Sequence, residues 1–182
     1  MRLFIGIDLP PPVRAALAEA QLRLRRHAPA VRWAAVTGMH LTLQFLGEVE
    51  ACRAPDLLAA LADIPAPTCS LRLGCLGAFP SAARPRILWV GLVGDLAALG
   101  DLQHAVIEAT QPLGFTPEDR PFAPHLTLGR ARQDVGIDQI LTLAAALRRA
   151  APPAPVTWAA GRPMLFQSVS TPQGVVYRVI GP

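Results

Sequence analysis

His40-Leu41-Thr42-Leu43 and His125-Leu126-Thr127-Leu128 are one tetrapeptide written twice, 85 positions apart, in a chain with only four histidines. Two histidines in identical surroundings mark an internal repeat. Each copy leads to a glycine-containing exit, Leu46-Gly47 in the first and Gly129-Arg130 in the second. Side chains of a strand alternate between its faces, so each His and Thr point one way and both leucines point the other, into a core. Two such strands from two facing lobes would put two imidazoles and two hydroxyls around one cleft with apolar backing.

Outward from the repeat, residues 2–8 read as a short buried strand ended by Asp8 and Pro10-Pro11-Pro12. Proline suits a helix start, and Val13, Leu17, Ala20 and Leu24 recur at helical spacing, which predicts a helix over 12–27. Arg14, Arg23, Arg25 and Arg26 then read as its solvated face. Strands are expected at 31–36 and 40–46, a helix at 53–63, and strands at 69–76 and 86–93. Gly94-Asp95 should cap a helix over 96–110. The second motif strand falls at 124–130, followed by a helix near 137–149. Strands near 156–167 and 174–180 close the chain, with Pro172-Gln173-Gly174 as their hairpin turn. Strands and helices do not alternate regularly, and neighbours such as 31–36 and 40–46 suggest antiparallel hairpins, so the class is α+β.

The 182 residues suffice for one domain with a real core, and 52% of them are apolar. All seventeen basic residues are arginine, the formal net charge is +4 and the pI is near 9.8. With no lysine, the chain cannot be a P-loop enzyme, a protein kinase or an enzyme that carries a nucleotide on a lysine amine. Cys52, Cys69 and Cys75 lack CxxC spacing and read as free thiols of a reducing compartment. The apolar N-terminal run is too short for a signal peptide, and no stretch approaches the roughly 18 apolar residues of a membrane span. A cytoplasmic protein without membrane association is expected.

Imidazole titrates near neutrality, so one histidine of a pair can be charged while the other is not. Such a pair can take a proton from a nucleophile on one side of a reacting centre and give one to a leaving oxygen on the other. The hydroxyls of Thr42 and Thr127 can donate to non-bridging phosphate oxygens. These parts suit in-line displacement at phosphorus. Arg130 is the candidate cationic contact, although strict alternation sets it on the face opposite Thr127, and only a bend or bulge could redirect it. A metal centre is the chemical rival. Two histidines are too few for zinc, no HExxH is present, and a third ligand would have to be an isolated acid such as Asp8 or Asp119. No metal is expected. Phe45, Phe79 and Phe122 are candidates for stacking on a base, with core packing as their ordinary role. Arg84 and Arg86 precede a strand that could border the cleft, and Arg86 is a candidate substrate contact. His27, His104, Trp33, Trp89 and Trp158 read as surface or packing residues.

The paired His-x-Thr-x motifs resemble those of the 2H phosphoesterase superfamily. The surrounding sequence is similar to its bacterial and archaeal RNA 2′,3′-cyclic phosphodiesterase branch, also called 2′-5′ RNA ligases. The similar stretches are Arg2 to Pro10, Met39 to Gly47, Gly77 to Pro80, Arg84 to Trp89 and Arg120 to Arg130. The resemblance implies one bilobal α+β domain over 1–182, with two pseudo-symmetric lobes of mainly antiparallel sheet and outer helices around a central cleft. It also implies hydrolysis of RNA 2′,3′-cyclic phosphate ends to 2′-phosphates with neither metal nor nucleotide cofactor. In that family pattern His40 is the proton donor and His125 the acceptor, and reversal with an RNA 5′-hydroxyl end would make a 2′-5′ linkage without ATP. The motifs themselves are symmetric and do not assign these roles. A phosphodiesterase of small cyclic nucleotides or 2′-5′ oligonucleotides, and an RNA-end binding protein without turnover, are the alternative readings. A monomer is expected, since one chain supplies both halves of the cleft.

Overall fold

In the computed structural model, which describes residues 1–172 and 174–181, nine strands and four α-helices follow the order β1 (Arg2–Asp8), α1 (Pro11–Arg25), β2 (Val31–Trp33), β3 (His40–Glu48), α2 (Ala54–Ala62), β4 (Ser70–Ser81), β5 (Arg84–Gly94), α3 (Leu96–Thr110), β6 (His125–Ala131), α4 (Ile137–Arg149), β7 (Thr157–Ala159), β8 (Met164–Thr171) and β9 (Gly174–Val179). All pairings are antiparallel, in the order β7-β4-β5-β6-β3-β1-β8-β9, with β2 added to β6. The two motif strands, β3 and β6, are neighbours at the middle of this path. Each carries three further strands outward, β1-β8-β9 on one side and β5-β4-β7 on the other. This is the expected α+β fold of two similar lobes.

The sheet has to curl. Only four residues separate β7 from β8, and Ala159 to Met164 can span at most about 18 Å of extended chain. In a flat sheet those strands would lie roughly 29 Å apart, six strand spacings along the path. Bending brings the ends together and gives the sheet a concave face.

The motif leucines fill the opposite face. Leu41, Leu43, Leu126 and Leu128 are all buried in the main core, together with Ile5, Ile7, Leu71, Leu88 and Leu165 from neighbouring strands. Helices cover this side. Gln21 of α1, itself buried, donates from Nε2 to Leu128 O at 2.7 Å and to Ala34 O at 2.8 Å. Thr110 of α3 donates from Oγ1 to the buried Gln44 of β3 at 2.9 Å. Each motif strand is thus pinned from behind by a helix.

Helices α3 and α4 span the expected residues. Asp95 stands at the N-cap of α3, but its carboxylate accepts from Ser70 N at 2.9 Å and does not cap the helix. Gly94 has φ +113°, and a Cβ there would sit 2.4 Å from Ser70 O, so the turn from β5 into α3 requires glycine.

Two expectations are corrected. The strand predicted over 31–36 stops at Trp33 and pairs with β6, not β3. Strand β3 has no edge left for it, because β1 occupies one side and β6 the other, and 36–38 form a 3-10 turn. The single strand predicted over 156–167 is two. Gly161-Arg162-Pro163 interrupts it, β7 pairing with β4 while β8 crosses to β1. Strands β8 and β9 form the expected hairpin, with Thr171 facing Gly174. Gln173 of its turn lies outside the described residues.

Candidate active site

Strands β3 and β6 meet through a single register pair, Leu41 facing Leu126. Extending that antiparallel register by one residue each way sets His40 beside Thr127 and Thr42 beside His125. With both leucines buried, the four polar side chains share the opposite, concave face, and all four are half-buried. The structure therefore brings the two motifs together at the strand starts.

Both strands then break alternation at the same place. Along β3 the partners in β1 run Gly6 to Thr42 and Ile5 to Gln44, leaving Leu43 as an extra residue. Along β6 the partners in β5 run Trp89 to Thr127 and Leu88 to Gly129, leaving Leu128 extra. These are β-bulges, each at the last residue of the repeated tetrapeptide. The orphaned Leu128 carbonyl is satisfied by Ala34 N at 2.9 Å and by Gln21. Past the bulges, Gln44 and Gly129 face inward while Phe45 and Arg130 turn outward. Arg130 consequently lies on the same face as His125 and Thr127, as its candidate role needs. Phe45 holds the equivalent place in the first half, is 50% exposed, and lies 6.2 Å from Phe4, centroid to centroid.

The imidazoles are oriented alike. His40 Nδ1 lies 2.8 Å from Gly38 O and His125 Nδ1 lies 2.7 Å from Ala123 O, each two residues back along the chain. A carbonyl can only accept, so both Nδ1 atoms carry protons and each Nε2 is left for the cleft. Rings hold them in place. His40 is packed by Phe4 at 4.4 Å, Tyr177 at 4.6 Å and Phe166 at 5.6 Å. His125 is packed by Phe79 at 4.9 Å and Trp89 at 6.2 Å.

Burial pushes both histidines below their ordinary 6.5, against the hydrogen-bonded carbonyls, which favour the charged form. The remaining neighbours differ. His40 feels the Arg14 cation and, oppositely, the Asp8 carboxylate, with a further small repulsion from His125. His125 feels the Arg130 cation, and no carboxylate opposes it.

Beyond His125, two adjoining cavities of about 380 and 410 Å³ share Arg86 and Ile87. One is completed by Arg130, Ala131 and Gln133, the other by Phe79, Pro80 and Arg120. Among the described residues none of these three arginines is in an ion pair. Phe79 and Arg86 thus border the site, whereas Phe122 packs against the core and makes no ring contact with either histidine among the described residues. Sequence reasoning missed Asp8, Arg14, Arg120 and the rings of Phe4, Phe166 and Tyr177. Phe4, Asp8 and Arg120 had a signal, since they lie in the stretches similar to the 2H phosphoesterases, Arg2 to Pro10 and Arg120 to Arg130, whereas Arg14, Phe166 and Tyr177 had none. Among the described residues no group of three or more His, Cys, Asp or Glu side chains could hold a metal ion, and no helix is long and apolar enough to cross a membrane.

Comparison with known proteins agrees with this architecture. The LigT-like phosphoesterase family model matches residues 7–89 and 91–177, one stretch around each motif. Curated relatives called RNA 2′,3′-cyclic phosphodiesterase include those of Aeropyrum pernix, 33% identical over 78% of this chain and 78% of that protein, and Methanocaldococcus jannaschii, 28% identical over 99% and 98%. A Geobacillus stearothermophilus protein of that description is 36% identical over 71% of this chain but only 42% of its own length. Among solved structures, a Thermus thermophilus protein superposes with TM-score 0.80 at 29% identity, covering 100% of this chain and 96% of that one. Escherichia coli LigT complexed with 3′-AMP gives TM-score 0.76 at 29% identity, covering 99% and 95%. With a family model spanning both motifs and nearly the whole chain, this protein belongs to the LigT-like phosphoesterases.

Proposed function

We propose that this phosphoesterase opens the 2′,3′-cyclic phosphate end of RNA to a 2′-phosphomonoester, using His40 and His125 as acid and base and no metal. The observation that carries the reading is the pair of Nε2 atoms left free toward one concave face, on strands joined at Leu41–Leu126. With the cyclic phosphate between the rings, His125 takes a proton from water as its oxygen attacks phosphorus. The P–O3′ bond breaks, and His40 gives its Nε2 proton to the departing 3′ oxygen. Thr42 and Thr127, whose hydroxyls no other group engages among the described residues, donate to the non-bridging oxygens. Arg130 pairs with the charge that develops there.

The assignment of roles is supported by what faces each ring. Against the opposing Arg14 cation, Asp8 favours the charged form of His40, as a donor requires. Arg130 disfavours it at His125, as an acceptor requires. Phe45 and Phe79 offer faces for a base, and the arginines around the two cavities suit a nucleic-acid backbone. The relatives named RNA 2′,3′-cyclic phosphodiesterase support the choice of substrate. With an RNA 5′-hydroxyl as nucleophile in place of water, the same displacement would yield a 2′-5′ linkage. Both motifs come from one chain, so no second subunit is needed.

The test is product analysis on an oligonucleotide ending in a 2′,3′-cyclic phosphate, with EDTA present. A 2′-phosphate product is expected, and His40→Ala and His125→Ala should each lower the rate by roughly 10²–10⁴. A 3′-phosphate product, or activity that depends on added metal, would refute the reading.

A further inference from the structure

The turn that delivers His40 to the cleft is held by one side chain. Residues 36–39 present four carbonyl oxygens in succession. Arg14 of α1 takes three, the two N–H groups of its Nη1 shared among Val36 O at 2.7 Å, Thr37 O at 2.9 Å and Met39 O at 3.0 Å. The fourth, Gly38 O, accepts from His40 Nδ1. Arg14 Nε donates to Leu9 O at 2.9 Å, and Nη2 pairs with the Asp8 carboxylate. The Arg14 side chain is only 18% exposed. A guanidinium largely shielded by the fold and engaged on every edge is not part of a solvated face. Its rigid fork serves acceptors in several directions, which a lysine ammonium on a flexible stem could not do in this arrangement.

Among the described residues nothing equivalent stands behind His125. In β1, Asp8 is the register partner of His40; in β5, Gly91 is the register partner of His125 and has no side chain. Among the described residues, the carbonyls of 121–124 receive a side-chain hydrogen bond only from His125 itself. Pro121 and Pro124 restrict that loop instead.

We propose that Arg14, anchored by Asp8, is a positioning residue for His40, fixing the turn whose Gly38 carbonyl orients the imidazole and so aiming Nε2 at the reacting phosphate. The inference rests on the two-histidine reading above. The titratable and charged groups facing His40 are Arg14 from α1, Asp8 from β1, His125 from β6 and Tyr177 from β9. The first two also act on its charge. Arg14 disfavours the imidazolium and Asp8 favours it.

The experiment compares Arg14→Lys, Arg14→Met, Asp8→Asn and His40→Ala in the full chain, by pH profiles of kcat and kcat/KM on a cyclic-phosphate oligonucleotide. With His40 as donor, the basic limb of kcat/KM reports it. Arg14→Lys keeps the charge but loses the fork, so kcat should fall roughly ten- to hundredfold with KM little changed and the limb in place. Arg14→Met should lower kcat similarly and move the basic limb to higher pH, while Asp8→Asn should move it to lower pH. A merely structural role would leave both limbs where they are. Parent-like kcat in Arg14→Lys, or an unmoved basic limb in both Arg14→Met and Asp8→Asn, overturns the inference. Should Arg14→Met fail to fold, the other two variants decide. Parent-like turnover in His40→Ala would instead overturn the two-histidine reading and this inference with it. Loss in His40→Ala alone sinks only the positioning role.

Discussion

Replacing Leu126 by alanine removes three carbons from a position with 0% exposure, on the one register pair that joins the motif strands. At about 0.8 kcal/mol per methylene, the transfer contribution alone is about 2.4 kcal/mol. The space left behind adds to it, for a total of roughly 2.7–5 kcal/mol. Domains of this kind are ordinarily stable by about 5–15 kcal/mol, so most of the chain should remain folded at room temperature. The thermal midpoint should fall by roughly 5–20 °C. Leu41→Ala acts on the other side of the same contact, so the two losses should couple by about 0.5–3 kcal/mol and not simply add. Activity should suffer beyond stability, because all four motif side chains hang from these two backbones. A misplacement of about 1 Å can cost on the order of a hundredfold. Circular dichroism melts give the stability change. Steady-state hydrolysis of a cyclic-phosphate oligonucleotide, well below the lowest midpoint, gives the rate. Parent-like kcat in fully folded Leu126→Ala, or strictly additive losses in the double variant, would refute the claim that this contact holds the motifs in register.

Thr42→Val and Thr127→Val preserve shape and remove one donor each. Each should lower kcat/KM by roughly ten- to hundredfold without shifting the melting temperature, while parent-like kinetics in both would count against phosphate contact. Both histidines are held below 6.5 by burial, so the unfolded chain binds more protons than the folded one just below that pH. Stability from these groups is therefore complete above about pH 6.5 and is lost as pH falls toward their folded values. Urea midpoints on either side of pH 6.5 should diverge less in a His40→Asn, His125→Asn double variant than in the parent; equal divergence would be the contrary result.

Much of this fold is legible because its helices and motif strands carry local signals. Helix α4 keeps Ile140, Leu143, Ala144 and Leu147 on one face, a pattern that needs no knowledge of the rest of the chain. The placing of His and Thr against Leu in each motif follows from period two. Partners do not follow from it. Alternation says which way Val31 faces but not that β6, nearly a hundred residues away, is its neighbour. The bulges escaped for a related reason. Gln44 in one repeat and Gly129 in the other share no side-chain chemistry, and what turns both inward is the register set by β1 and β5. Arg14 was indistinguishable from Arg23 or Arg25 because its role depends on carbonyls twenty-two to twenty-five residues away.

A duplicated scaffold poses a problem that the two repeats answer outside the tetrapeptides. An in-line displacement with an acid on one side and a base on the other needs its two imidazoles in opposite charge states, yet identical motifs with identical i−2 carbonyl bonds would titrate alike. The differences lie at equivalent places. Opposite the histidines stand Asp8 in one half and Gly91 in the other; past the bulges stand Phe45 in one and Arg130 in the other. Asp8 beside His40 and Arg130 beside His125 each push in the sense that donor and acceptor require, while Arg14 beside His40 pushes the other way and burial lowers both rings. Rings line both halves, Phe4, Phe166 and Tyr177 at His40 and Phe79 and Trp89 at His125, while the arginines of the two cavities lie on the His125 side. On the two-histidine reading the repeated residues would provide the reacting groups, and any difference between the two rings has to come from the residues that are not repeated, Asp8 and Arg14 at His40 and Arg130 at His125.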